Sequence, residues 1–256
     1  MNRAKRILIV VFLCIALIAG FVAGWMILPS RGVPVLTYHH IGDSPEWYYL
    51  SAADFDRQMA FIKKEGYTAI SVVELTAALA GSRPLPPKPI VITFDDGYED
   101  NWTVATPILE KHGLRATFFV VTGKIGKPEY MTWPQLQAMQ AKGMEIGSHT
   151  VNHYTLNEIN LKEFTRELLL SRLMLENNLF HPVEIFANPF GETTPAVVEL
   201  LGKTGYRAAC SSIFGSNFSG ENPYLLKRMT VPKPLPGLGL WDFRARLLRL
   251  EAVGKI

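Results

Sequence analysis

Hydrophobic residues along this chain fall into short unbroken runs separated by amphipathic segments, the pattern of strands alternating with helices. The clearest run is Pro89–Phe94, whose β-branched and aromatic residues predict a buried parallel strand. Shorter runs predict further strands over Ala116–Val121, Met144–Gly147 and Val183–Ala187. The alternation therefore predicts an α/β fold, in which a parallel sheet or barrel is covered by helices.

Residues that commonly cap helices precede several of the amphipathic segments, most clearly Ser51, Ser71 and Asn160. The longest of the helices predicted in this way runs from Leu161 to about Asn178. We expect its core-facing side to contain four leucines, Leu168, Leu169, Leu173 and Leu175. No internal repeat or low-complexity stretch divides the chain, so a single globular domain is expected.

The N-terminal residues follow a different pattern, because residues 7–28 form a continuous apolar run of about 22 residues. Such a run is long enough for a transmembrane helix and longer than the core of a typical signal peptide. Arg3, Lys5 and Arg6 precede it and only Arg31 follows closely, so the positive-inside rule predicts a cytoplasmic N-terminus and an exported remainder. Removal of the segment as a cleaved signal peptide is the alternative.

The predicted organisation of the chain has four parts. They are a cytoplasmic tail over residues 1–6, a transmembrane signal anchor over 7–29, a globular domain over 34–235 and an amphipathic C-terminal tail over 236–256. In the tail, Arg244, Arg246 and Arg249 lie among large apolar residues, so we expect a helix that packs on the domain with its arginines in water. Contact of that helix with anionic lipid is the alternative.

Composition restricts the class of protein further. The formal net charge of the 256 residues is only +3, and no basic run is interleaved with aromatic residues, so nucleic-acid binding is not expected. The two cysteines are Cys14, inside the apolar segment, and Cys210. They cannot plausibly pair, so the fold is not expected to depend on a disulfide.

Two adjacent carboxylates, Asp95 and Asp96, follow the strand predicted over Pro89–Phe94 and precede Gly97. In α/β proteins, ligands and catalytic groups lie at the carboxyl ends of the strands. Because neighbouring carboxylates repel each other, the pair is stable only with a cation or a shared proton. An acidic turn in which one aspartate caps the next helix is the alternative.

Two histidines, His149 and His153, follow the strand predicted over Met144–Gly147. Positions i and i+4 share a face if the segment turns helically, so both imidazoles can reach one metal ion. Together with one carboxylate they would form a three-ligand site that leaves positions open for water, as catalytic metal sites do. Two unrelated surface histidines are the alternative.

The turn at Asn188–Gly191 follows the strand predicted over Val183–Ala187 in the same way. Proline has no N–H and glycine tolerates unusual dihedral angles, so this turn can direct the backbone N–H of Phe190 into a cleft. An ordinary turn without a catalytic function is the alternative.

Three segments, in this order, resemble the motifs of the polysaccharide deacetylase family, carbohydrate esterase family 4, whose members are metal-dependent enzymes. They are Thr93-Phe-Asp-Asp-Gly97, Ser148-His-Thr-x-x-His153 and Asn188-Pro-Phe-Gly191. The resemblance extends from about Pro34 to Val231. The segments at Val35–Ile41 and Leu226–Val231 are similar to one branch, the extracytoplasmic deacetylases of biofilm poly-N-acetylglucosamine. The resemblance implies a distorted (β/α)7-type barrel, preceded here by the one transmembrane helix.

The resemblance also implies a role for the residues of these motifs. Asp96, His149 and His153 would bind a divalent metal ion, with Zn²⁺ favoured and Co²⁺, Ni²⁺ or Fe²⁺ as alternatives for a mixed nitrogen and oxygen site. Asp95 would be the catalytic base, and the N–H of Phe190 would stabilise the oxyanion together with the metal.

The chain departs from the family pattern at two positions. Many members carry an arginine at the position of Ala187 that holds the catalytic aspartate, and many have a catalytic histidine near the C-terminus, whereas this chain has no histidine after His181. In the branch that it resembles, His39 would be the general acid and Arg228 the partner of the catalytic aspartate. His40 is expected to point to the opposite face of the strand.

The implied function is removal of N-acetyl groups from an N-acetylglucosamine-containing polysaccharide outside the cytoplasmic membrane. The implied partners are N-acetylated polysaccharide and, through residues 7–28, the lipid bilayer; the sequence indicates no particular protein partner. Tyr98 and Trp133 are expected to line the sugar groove, with core packing as the alternative for each. The alternative functions are a small-molecule amide hydrolase with a closed pocket and a catalytically inactive glycan-binding module, and the presence of Asp95 argues against the second.

Overall fold

The computed structural model of the protein describes residues 32–235 and 237–253, together with residue 5, residues 11–17 and residue 20. Most of the predicted signal anchor, residues 7–29, lies outside the described residues. Residues 11–17 are helical. Within the described part of the chain, no helix combines the length and the apolar character needed to cross a bilayer.

Strands and helices alternate between residues 32 and 253, as the hydrophobic pattern predicts. The strands are β1 (Val35–Tyr38), β2 (His40–Ile41), β3 (Tyr49–Leu50), β4 (Thr68–Ala69), β5 (Pro89–Phe94), β6 (Thr117–Val120), β7 (Glu145–Ser148), β8 (Ile185–Ala187), β9 (Ala208–Cys210) and β10 (Met229–Thr230). The α-helices are α1 (Ala52–Lys64), α2 (Val72–Leu79), α3 (Thr106–His112), α4 (Trp133–Ala141), α5 (Leu161–Leu179), α6 (Pro195–Lys203) and α7 (Leu240–Val253). Shorter helical turns span Asn101–Ala105, which is a π-turn, and Thr122–Lys124, Pro189–Gly191 and Pro223–Leu225.

One parallel sheet runs through the domain in the order β10-β1-β5-β6-β7-β8-β9, and β4 pairs with the first residues of β5. In its register, Thr37 of β1 lies opposite Thr93 of β5 and Thr230 of β10. Just before β10, Leu226 bridges to Cys210 of β9, so the two ends of the sheet approach each other. The sheet is therefore curled into a half-barrel covered by helices, which agrees with the predicted α/β class and barrel type.

Neighbouring residues of β1 and β5 point to opposite faces of the sheet, because side chains on a strand alternate with a period of two. Val35 and Val91 belong to one buried hydrophobic cluster. Their neighbours belong to a second and larger cluster, to which these strands contribute Leu36, Tyr38, Ile90, Ile92 and Phe94. By this alternation, the side chain of His39 points to the same face of the sheet as Val35, and the side chain of Asp95 points to the same face as Val91.

The two ends of β1 lie at opposite ends of the barrel. Immediately before the strand, Val33 pairs with Asn217 in an antiparallel bridge. At the other end, the strand leads directly into His39. The chain preceding residue 33 is therefore joined to the barrel at the end opposite to the carboxyl ends of the strands.

The predicted core-facing side of α5 is wrong in part. Leu168 and Leu175 are fully buried, but Leu169 and Leu173 are 49% and 53% exposed. The buried side instead consists of Phe164, Glu167, Leu168, Ser171, Leu175 and Leu179. Successive residues of a helix are rotated by about 100°, so Leu169 and Leu173, which are four residues apart, lie together on the side that faces solvent. Two polar residues thus occupy inward positions that the pattern of leucines does not predict.

The C-terminal tail packs on the domain, as its amphipathic pattern predicts. Phe243, Leu247 and Leu250 of α7 are buried in the larger hydrophobic cluster. The ring of Phe243 meets the ring of Phe61 edge-on, with 6.1 Å between their centroids. The guanidinium of Arg244 lies 4.9 Å from the centroid of the Phe61 ring. The helix therefore shares the core of the barrel.

Candidate active site

Asp96, His149 and His153 converge at the carboxyl ends of β5 and β7. The Nε2 atom of His153 lies 3.2 Å from Oδ1 of Asp96 and 3.2 Å from Nε2 of His149. The Nε2 atom of His149 lies 3.6 Å from the same carboxylate oxygen. Among the described residues, these three are the one group of histidine, cysteine and acidic side chains whose ligand atoms lie close enough together to hold a metal ion.

The spacing of these atoms fits a tetrahedral metal ion. Ligands at about 2.0–2.1 Å from a tetrahedral zinc ion lie roughly 3.3–3.4 Å from one another. The three separations in this site are 3.2, 3.2 and 3.6 Å. Two imidazole nitrogens and one carboxylate oxygen are also a donor set that divalent transition metals accept. Three protein ligands would leave a fourth position on such an ion open for water or substrate.

Hydrogen bonding and burial prepare the two histidines for a metal. Nδ1 of His149 lies 2.8 Å from the carbonyl oxygen of Ala187. Because a carbonyl only accepts, Nδ1 carries the proton, and the lone pair is on Nε2, which faces the other ligands. Burial lowers the pKa of His153 to about 4, with His149 acting in the same direction and Asp96 opposing it. The His153 ring is therefore neutral at pH 7, as a metal ligand must be.

The backbone at these ligands adopts an uncommon conformation. Asp96, Thr150 and His153 have φ angles of +73°, +66° and +62°, in the left-handed region that few residues other than glycine occupy. Such conformations cluster at functional sites, where the surrounding structure maintains them. At Asp96 the left-handed turn interrupts the alternation of β5, so two consecutive aspartates line the same pocket.

Asp95 is held by a buried two-point ion pair with Arg228. Nη1 and Nη2 of the guanidinium each donate to one carboxylate oxygen at 2.8 Å, and Nε donates to the carbonyl of Ser211. Burial by itself raises the pKa of Asp95, but the charges of Arg228 and His149 and the hydrogen bonds from Arg228 together outweigh this effect, and the pKa falls to about 2. Asp95 is therefore ionised at neutral pH. Arg228 supplies the guanidinium that the chain lacks at Ala187.

His39 projects into the pocket that contains Asp95. Burial lowers the pKa of the imidazole, although the charges of Asp95 and Asp96 oppose this shift. The ring is therefore largely neutral at pH 7 and must take up a proton before it can donate one. The side-chain amide of Asn101, in the π-turn, donates to the backbone carbonyl of His39 at 2.8 Å and so fixes the end of β1.

His40 has a different environment and does not line the pocket. Its Nδ1 lies 2.5 Å from Oδ2 of Asp100. Its ring is stacked between Tyr49 and Tyr98, at centroid separations of 4.1 and 3.4 Å. The two neighbouring histidines thus point to opposite sides of the strand end, as the alternation predicts, and His40 is part of the packing.

The pocket has a volume of about 470 Å³ and an aromatic rim. Trp47 and Phe190 line it, and each of these residues is 59% exposed. The ring of Phe190 also packs against His153, with 4.7 Å between the centroids. Its backbone is left-handed, with a φ of +57°. The exposed rim shows that the pocket opens widely to solvent.

The two residues predicted to line a sugar groove have different positions. Tyr98 lines the pocket, but His40 covers one face of its ring, and the ring of Tyr130 lies 5.2 Å away. Burial, followed by the charge of Asp96, raises the pKa of its hydroxyl. Trp133 does not line the pocket; it begins α4 and packs, partly buried, against the larger hydrophobic cluster. Core packing, the alternative for Trp133, describes its position.

Trp47 and Tyr48 also line the pocket, and neither was predicted to do so. The signal available for them is three consecutive aromatic residues, Trp47 to Tyr49, in an otherwise polar loop. The carbonyl of Trp47 accepts a hydrogen bond from the backbone N–H of Lys233 at 2.9 Å, which attaches this loop to the barrel. A larger cavity of about 830 Å³ lies near the same loop, around Gly42–Pro45, but contains none of the predicted catalytic residues.

Comparison with known protein families agrees with this arrangement. The family model described as polysaccharide deacetylase matches residues 82–209, which make up half of the 256-residue chain. The chain belongs to the polysaccharide deacetylase family. The match includes both strand ends that supply the converging aspartates and histidines, whereas His39 and Arg228 lie outside it.

Individual relatives show the same similarity. Over 205 residues the chain is 29% identical to YxkH of Bacillus subtilis (strain 168), whose name places it among the polysaccharide deacetylases, covering 80% of this chain and 73% of the relative. It is 25% identical over 224 residues to the poly-beta-1,6-N-acetyl-D-glucosamine N-deacetylase of Escherichia coli (strain K12), covering 70% of this chain but only 33% of that enzyme. The solved structure of the Streptococcus pyogenes deacetylase PplD in complex with acetate aligns with a TM-score of 0.78 at 27% identity, covering 86% of this chain and 99% of that one. The chain is accordingly an enzyme of the deacetylase class.

Proposed function

We propose that this chain is a metal-dependent deacetylase that removes N-acetyl groups from an N-acetylglucosamine-containing polysaccharide. The observation that supports it best is the convergence of Asp96, His149 and His153 beside Asp95, which Arg228 keeps ionised. The name of the Escherichia coli relative supports the class of substrate. Because this chain spans about a third of that enzyme, the substrate is part of the proposal.

In this proposal, Asp96, His149 and His153 hold a divalent ion, most simply Zn²⁺. Such an ion supplies Lewis-acid chemistry, polarising a carbonyl and lowering the pKa of water. Asp95 accepts the proton of the attacking water, and the two hydrogen bonds from Arg228 orient its carboxylate for this role. The backbone N–H of Phe190 stabilises the negative charge that develops on the acetamide oxygen.

Cleavage of the C–N bond also needs a proton donor, because a glucosamine nitrogen leaves poorly as an anion. His39 is the proposed donor, since it is the histidine of the pocket that is not a proposed metal ligand. Its ring, neutral at pH 7, takes up a proton from solvent and passes it to the departing nitrogen, and Asp95 then releases to solvent the proton that it accepted from water. The products are acetate and a glucosamine unit.

The shape and composition of the pocket favour this function over the two alternatives. A small-molecule amide hydrolase is expected to enclose its substrate, whereas Trp47 and Phe190 leave the rim of this pocket exposed. An inactive glycan-binding module would have no need for Asp95 with its buried guanidinium partner. The exposed aromatic rim is suited to contact with the faces of sugar rings along a polymer.

The proposal is tested by measuring acetate release from acetylated substrates with zinc-loaded protein. The panel should contain poly-N-acetylglucosamine oligomers of increasing length, chitin oligomers, peptidoglycan and a small acetamide. We expect release from at least one glycan, with kcat/KM rising with chain length, loss on treatment with a chelator and recovery with zinc. Hydrolysis of the small acetamide alone would instead favour the small-molecule enzyme, and no release with metal bound would favour the inactive module.

Replacing His39 with alanine is expected to lower amide hydrolysis by about 10²–10⁴-fold while metal content and fold are kept. The rate of hydrolysis of an acetyl ester with a good phenolate leaving group should fall far less, because that group needs little protonation. The measurement is kcat/KM for both substrates. His40→Ala is the matched control, and its ratio of amide to ester activity should equal that of the wild type. Equal losses on both substrates in His39→Ala would exclude His39 as the acid.

We further propose that the catalytic domain lies outside the cytoplasmic membrane, with residues 7–29 as its anchor. The long apolar run and the basic residues before it support this location. A reporter that is active only after export should be active when it is fused after Ile256. The mature protein should begin at Met1. A mature N-terminus between Gly20 and Arg31 would indicate a cleaved signal peptide, and cytoplasmic reporter activity would contradict the location.

A further inference from the structure

We propose that Glu167 of α5 is a positioning residue that holds the histidine loop, residues 149–153, in the conformation that binds the metal. This inference rests on the metal assignment of the proposed function. Glu167 is 9% exposed and lies on the buried side of its helix. It is not one of the converging ligands, and it acts on them through the backbone of the loop.

The carboxylate of Glu167 accepts three hydrogen bonds from the middle of this loop. The backbone N–H groups of Val151 and Asn152 both donate to Oε2 at 2.8 Å. The side-chain amide of Asn152 donates to Oε1 at 2.7 Å. Charge-assisted hydrogen bonds of this kind are stronger than neutral ones, and they offset the cost of burying an ionised carboxylate.

The conformation of the loop explains why it needs an anion at this position. Thr150 is left-handed, with a φ of +66°, and the next two backbone N–H groups point together to one side. Successive N–H groups arranged in this way form a concave site that attracts negative charge. Glu167 supplies that charge from a rigid helix, so the left-handed turn between His149 and His153 is stabilised without a metal ion.

The opposite side of the loop is fixed by uncharged contacts. The carbonyl of Thr150 accepts the N–H of Thr122 at 3.0 Å, and the carbonyl of Val151 accepts the N–H of Gly123 at 2.9 Å. Within the loop, the N–H of His153 donates to the hydroxyl of Thr150 at 2.9 Å. Removal of the carboxylate leaves these contacts in place but frees the N–H side of the loop, which must then be ordered when a metal binds.

Glu167→Ala removes all three hydrogen bonds to the loop, so it is expected to weaken zinc binding by about 10–100-fold, the usual effect of removing a group that orients metal ligands. The measurement is the Kd of zinc for the metal-free full-length protein, obtained by competition with a chromophoric chelator, together with Tm by circular dichroism. In Glu167→Gln the amide oxygen still accepts from the loop but the negative charge is lost, so its zinc affinity should fall less than that of Glu167→Ala.

Leu168→Ala is the matched control for a purely structural effect. Leu168 is the next residue of α5, fully buried in the core, and its truncation should lower Tm without changing the zinc Kd. If Glu167→Ala does not fold, Glu167→Asp keeps the charge on a side chain one methylene shorter, and it should also bind zinc more weakly. An unchanged Kd in Glu167→Ala or Glu167→Asp, or an equal loss in Leu168→Ala, overturns the positioning role. Failure of the wild type itself to bind zinc would overturn the metal assignment, and this inference with it.

Discussion

Replacing His153 with alanine is expected to remove most of the bound metal and to reduce turnover at least on the order of 10³-fold. The reason is that one of the three proposed ligands is lost, and the ion would supply both the polarisation of the carbonyl and the acidification of water. The barrel should stay folded, because His153 lies at the edge of the pocket with its side chain 18% exposed. Metal content by elemental analysis, acetate release and Tm are the three measurements.

A control for this variant is His181→Ala. His181 is exposed, and its Nδ1 contacts the carbonyl of Pro182, far along the chain from the ligands. The control should keep wild-type metal content and activity. Wild-type metal content in His153→Ala and in the corresponding His149→Ala variant would show that the converging side chains are not the metal ligands.

Replacing Asp95 with asparagine is expected to keep the metal but lower the rate by about 10²–10⁴-fold, the usual contribution of a catalytic base. The change should also destabilise the protein by about 3–5 kcal/mol, because it leaves the buried guanidinium of Arg228 without its counter-charge. Metal content, kcat and the free energy of unfolding should be measured at a temperature at which the variant is folded.

Two further variants separate these effects. Asp96→Asn should weaken metal binding itself, since Asp96 is the proposed oxygen ligand. Combining Asp95→Asn with Arg228→Met removes both buried charges, so it should recover part of the stability without recovering the rate. If Asp95→Asn and Asp96→Asn lose metal equally, the separate roles of base and ligand are wrong.

The parts of the site that could be predicted from sequence are those that depend on local properties of a strand. Asp95 and His149 come directly after strands β5 and β7, and parallel strands of one sheet end at the same edge. The opposite orientation of His39 and His40 follows from the two-residue period of β1. These properties depend on a few neighbouring residues, so they can be predicted from the sequence without knowledge of tertiary contacts.

The parts that could not be predicted depend on residues that are distant along the chain. All the leucines of α5 are equally apolar, and its inward side is set in part by Glu167, which bonds to the histidine loop. Likewise, Trp47 rather than Trp133 reaches the pocket because its loop is attached to the backbone at Lys233. Aromatic composition alone does not indicate which of these two indoles lines the pocket.

The orientation of β1 has a consequence for the way a tethered enzyme reaches its polymer. From Val33, at one end of the barrel, the chain needs six residues to reach His39 in the pocket, a distance of about 20 Å for an extended strand. If residues 7–29 anchor the chain, as proposed, the anchor joins the barrel at the end opposite to the pocket. Under the proposed function, we expect such an enzyme to process glycan strands that pass over the end of the barrel away from its anchor.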